Sequence, residues 1–98
     1  MQQPMRAAGI AWYRRENYAR VLAVMADAHV LPRRFDEWLE QAQRAEQRFV
    51  AQGWVVHRID LDPNEFLAWC TRHNIDADAK ARMIWGNAGA ARKHGQES

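Results

Sequence analysis

The sequence predicts an α+β fold, predominantly helical: a helical hairpin, one short strand, then two further helices. Three observations predict it. Four segments place apolar residues at intervals of three and four, the period of a helix buried along one face. One stretch, residues 54–61 (WVVHRIDL), carries three β-branched residues and no helical period. Punctuation separates these segments: Pro32, Gly53, the pair Asp62 and Pro63, and Asn74.

Residues 1–8 (MQQPMRAA) have no periodicity and are expected as a disordered tail. A globular domain is expected over 9–92, and a frayed tail over 93–98. The first helix is expected over about 16–29, with Tyr18, Val21, Leu22, Met25 and His29 on one face. Pro32 cannot continue it. The second is expected over 35–52, with its stripe at Phe35, Trp38, Leu39, Ala42, Ala45 and Phe49. Asp36, Glu37 and Glu40 lie where the positive end of the helix dipole favours carboxylates, and Gly53 suits a left-handed cap. Joined around Pro32, these two helices are expected as an antiparallel hairpin.

The strand is expected over about 54–60. Val55, His57, Ile59 and Leu61 share one face, and Trp54, Val56, Arg58 and Asp60 the other. The helix over 63–73 has the clearest start. Asp62 is its N-cap, Pro63 its first residue, and Glu65 completes a capping box, with Leu61 and Phe66 placed as a hydrophobic staple. Asn74 can take the left-handed position after it, with Ile75 folding back. Asp76 is expected to cap a last helix over 77–91, with Ala77, Ala81, Ile84, Trp85, Ala88 and Ala91 inward.

A lone strand leaves its backbone groups unpaired, so it needs a partner. Gly9–Tyr13 is short and apolar, and could run back antiparallel to it. Alternatively, residues 54–60 of two protomers could pair across a twofold axis centred on His57, bringing the two His57 rings together. A homodimer is the expectation.

The chain has 98 residues, too few for a second core. Its single cysteine, Cys70, excludes an internal disulfide and suits a reducing cytoplasm, the expected location. No apolar run approaches the length of a bilayer span, and Arg14, Arg15 and Glu16 interrupt any signal-like stretch, so no membrane partner is expected. The formal charge is +2, but the signs are segregated. Residues 1–34 carry six arginines against two acids, residues 35–65 three arginines against seven acids, and residues 66–98 return to +2. Such segments attract one another, within a protomer or between two.

Little in the sequence carries catalysis, and no enzyme activity, cofactor or metal is expected. Cys70 and His73, three apart on one helix, with His57 nearby, could supply part of a zinc site, yet a second cysteine is missing. A nucleophilic Cys70 would need a lowered pKa, and its apolar neighbours work against that. Asp60, Asp62 and Glu65 form an acidic cluster that helix capping largely explains. Phosphate-cradling and zinc-protease motifs are absent.

Two surfaces remain. Five tryptophans in 98 residues favour a small protein-interaction module, self-associating and with a further unknown protein partner. Trp12, Trp54, Val56 and Arg58 are its candidate contact residues. The alternative is a nucleic-acid-binding protein, in which Arg14, Arg15, Tyr18, Arg20, Arg33 and Arg34 supply cations for phosphates and a ring for stacking.

Overall fold

The strand expected over 54–60 forms, and it finds its partner in the same chain. A computed structural model describes residues 6–97. In it β1 (Ala7–Trp12) pairs with β2 (Val55–Asp60) in parallel, with Ala7 opposite Val55 and Trp12 opposite Asp60. The pairing is therefore neither antiparallel nor limited to Gly9–Tyr13. Ala7 and Ala8, expected in a tail, are strand residues; residues 1–5 of that tail lie outside the described residues. The long connection between the strands makes the parallel arrangement possible, because a parallel pair needs a crossover of a dozen residues or more.

That connection holds α1 (Tyr18–Val24) and α2 (Phe35–Ala51), with short 3₁₀ turns at Arg15–Asn17 and Ala28–Val30. The continuous helix expected over 16–29 is thus broken. Met25 turns extended, and the Ala26 N–H donates to the Ala77 carbonyl at 2.8 Å. A contact made far away in sequence captures the backbone where the apolar period would have continued. Nor do α1 and α2 form the expected hairpin. α1 lies along α3 (Pro63–Arg72), and meets α2 through Tyr18, whose ring contacts Phe35 and Trp38.

Local punctuation acts as its chemistry requires. Gly53 adopts φ 88° after α2. The Asp62 side chain accepts from the Glu65 N–H at 2.9 Å at the start of α3. Asn74 adopts φ 55° after α3, and the Ile75 N–H folds back to the Cys70 carbonyl at 3.0 Å.

α4 (Ala79–Glu97) departs most from expectation. Its cap is Asp78, whose carboxylate accepts from the Ala81 N–H at 3.1 Å, rather than Asp76. It continues through residues 93–97, which were expected to fray. Its inward face is rotated as well: Ala81, Gly86, Gly89 and Ala90 are buried, while Ile84 is 42% exposed and Ala88 and Ala91 face out. The helix approaches the sheet at backbone distance, so small residues take the buried face.

The sheet lies between α4 and α2. Gly9 and Ile59 face α4, whereas Trp12 and Arg58, on the opposite face, meet Trp38 and Glu46 of α2. Beside this sandwich Tyr13, Tyr18, Val21, Leu61, Phe66 and Cys70 form the core beneath α1 and α3.

Candidate interaction groove

The sheet's two outer edges are finished differently. On β2, the Arg58 carbonyl accepts from Lys93 Nζ at 3.3 Å, and the Asp60 carbonyl from Trp85 Nε1 at 3.1 Å. Both donors are long side chains of α4, while the Val56 peptide group and the Arg58 and Asp60 N–H groups on the same edge have no hydrogen-bond partner among the described residues.

Among the described residues no side chain hydrogen-bonds the outer edge of β1. The Arg6 carbonyl accepts from the Val55 N–H at 2.8 Å, and the Trp12 carbonyl from the Leu61 N–H at 3.1 Å. Backbone groups alternate along a strand, so Arg6, Ala8, Ile10 and Trp12 face β2. Ala7, Gly9 and Ala11 therefore turn their N–H and C=O outward, and no described residue supplies them a hydrogen bond. All three are half-buried, where an unpaired peptide group is costly.

This edge floors a groove of about 730 Å³. Trp38, Ala42, Ala45 and Phe49 of α2 form one wall, and Met83 and Asn87 of α4 the other. The described lining contains no carboxylate, and its one cation, Arg82, is already engaged. The Arg82 guanidinium holds Asp27 through two hydrogen bonds, of 2.7 and 2.8 Å, and so keeps that carboxyl below its ordinary range. Beside Arg82, burial pushes the Tyr13 hydroxyl up to about 12. The groove thus offers fixed peptide donors and acceptors between largely apolar walls.

Of the four expected contact residues, Trp54 lines this groove, packed against Phe49 with ring centroids 5.5 Å apart. Trp12 and Arg58 are brought together, but with each other. The Arg58 guanidinium lies 4.1 Å over the Trp12 ring, which meets Trp38 on another side at 5.3 Å. Arg58 also grips Glu46 through two bonds of 2.7 and 2.8 Å, holding that carboxyl low. Val56 is half-buried on β2.

The arginine and aromatic segment is largely spent within the chain. Arg14 pairs with Asp60 at 3.0 Å and Arg15 with Asp36 at 2.6 Å, and the Arg15 guanidinium also lies 4.8 Å over the Phe35 ring. Arg20 donates to Asn64 at 2.9 Å. Tyr18, expected as a stacking ring, is 4% exposed and donates its hydroxyl to the Pro32 carbonyl, so a base cannot reach its face. Arg33 and Arg34 are exposed. The segregated charges meet inside one chain, acidic middle against basic start.

The remaining constellations do not assemble. Cys70 is 1% exposed, and burial raises its thiol away from the reactive range. His73 is exposed against Trp69, and His57 is buried against His94 with ring centroids 5.7 Å apart. His57 is buried on the side of β2 that faces α4. His29, expected on the apolar face, is exposed. Among the described residues no three His, Cys, Asp or Glu side chains gather as a metal site requires.

No family model, curated protein or solved structure matches this chain.

The groove itself was not legible as a site. Ala7–Ala11 reads AAGIA, without the β-branched and aromatic residues that announce a strand. Its walls come from the inward stripe of α2 and from two unremarked residues of α4. The available signal was the small-residue run itself, which allows helices to crowd a backbone. Among the described residues no helix is long and apolar enough to cross a membrane.

Proposed function

We propose that this chain is a small protein-interaction module without catalytic activity, and that the groove along β1 is its working surface. One observation carries this reading: the outward peptide groups of Ala7, Gly9 and Ala11 sit half-buried on the floor of a groove between apolar walls, with no hydrogen-bond partner among the described residues. Open edges invite pairing, and proteins normally blunt the ones they do not use.

Site-specific photocrosslinking in cells tests it. A photoreactive residue at Gln41, exposed on the groove wall, should give a discrete protein adduct. The same residue at Thr71, exposed on α3, should not. Equal adducts from both positions, or none from Gln41, would refute the reading. Salt-sensitive binding of single-stranded nucleic acid, lost when Arg33 and Arg34 are replaced by alanine, would favour the nucleic-acid alternative instead.

A further inference from the structure

Resting on that reading, we propose that the groove takes a single extended segment of another protein, which joins the sheet as a third strand along the outer edge of β1. Backbone chemistry selects the occupant. Ala7, Gly9 and Ala11 present donors and acceptors at every second residue, a pattern that an extended strand matches and a helix cannot. Three outward residues engage about five residues of a partner strand.

A second copy of this chain does not fit the same edge. α4 lies directly over β1, with Gly86 against Gly9. Strands pair about 4.8 Å apart. Joining two β1 edges across a twofold axis at Gly9 would bring the two α4 helices to a similar separation, whereas packed helices need about 8–10 Å. An isolated strand carries no helix and meets no such obstruction.

The walls specify the side chains. A strand presents them alternately to its two faces. Toward α2, Ala42 and Ala45 leave space between Trp38 and Phe49, and this accommodates a branched aliphatic side chain. Toward α4 the neighbours are Met83 and the Asn87 amide, which suits a small polar residue. The partner segment is therefore extended and free of bulky charge, alternating Val or Ile with Ser or Asn.

The test uses the full chain and a library of capped five-residue peptides with that alternation, read by amide hydrogen exchange. Without peptide, the Gly9 and Ala11 amides should exchange quickly while those of Ala8, Ile10 and Trp12 are protected. A bound peptide should slow Gly9 and Ala11 by about tenfold or more. The same peptide with N-methyl groups on its pairing amides should fail to do so. Perturbation of Phe49 and Met83 without slowing of Gly9 or Ala11 would overturn strand addition while leaving the groove reading intact. A library in which no member binds would overturn strand addition as well; a blank crosslink at Gln41 would then remove the groove reading separately. Gly9 and Ala11 amides already protected in the free protein, and released on dilution, would assign the edge to a second copy.

Discussion

Gly9 and Gly86 meet backbone to backbone: a Cβ on Gly9 would stand 1.8 Å from the Gly86 carbonyl oxygen and 2.8 Å from the Ala90 Cβ. A Cβ on Gly86 would reach the Gly9 carbonyl oxygen at 2.7 Å. Neither obstacle is a flexible side-chain end, so neither can yield cheaply. The contact sets how closely α4 covers the sheet, and so positions one wall of the groove.

Gly9→Ala should therefore destabilise the fold by about 3 kcal/mol, at the upper end of overpacking costs. Gly89→Ala should cost less, because it meets the Ile59 side chain, at 2.4 Å, rather than backbone. Gly95 has open space around its Cβ position, so Gly95→Ala should be neutral or slightly stabilising. Urea denaturation of the three variants gives the ranking, and a Gly9→Ala variant as stable as the parent would contradict the close approach.

The ion pair of Asp27 and Arg82 should make stability fall in acid. The Arg82 hydrogen bonds hold the Asp27 carboxyl below its ordinary value of 3.8. The folded form therefore binds that proton less readily than the unfolded chain. Its contribution is complete well above pH 3.8 and is lost as the pH falls through the depressed folded value. Asp27→Asn should cost about 2 kcal/mol at neutral pH, since the side chains of both partners are less than one-fifth exposed. It should also flatten the acid limb of the stability curve. Parent and variant with the same acid slope would show that other carboxylates dominate.

The Asp62 cap should be purely structural. Its carboxylate accepts from the Glu65 N–H, the N-cap bond of α3. Asp62→Ala should lower stability by about 1 kcal/mol and leave peptide protection of Gly9 and Ala11 unchanged. Normal melting with loss of that protection would show instead that the acidic cluster takes part in binding.

Cys70 should be inert in the folded state. It is fully buried and its thiol is raised, chiefly by desolvation. A thiol reagent should label it slowly in buffer and rapidly in denaturant. Equal rates in the two conditions would mean that α3 opens readily or that the thiol is activated.

The sequence by itself determined the features whose energetic cause lies within a few residues. Asp62, Pro63 and Glu65 start α3 because donor and acceptor are three residues apart. Gly53 and Asn74 follow their helices because left-handed backbone favours those residue types. The periodic stripe of α2 and the β-branched run of β2 belong to the same class. Tertiary structure decided what depends on distant residues. Ala7–Trp12 became a strand because β2 offered a ladder, not because alanine and glycine prefer extended backbone. α1 ended at Val24 because Ala26 found the Ala77 carbonyl, and α4 turned Gly86 and Gly89 inward because Gly9 and Ile59 allowed close approach. Trp12 and Arg58, exposed contact residues by the sequence pattern, stacked on each other once β1 and β2 were paired. The groove belongs wholly to this second class, since its floor and its two walls come from three separate segments and no local pattern records that they meet.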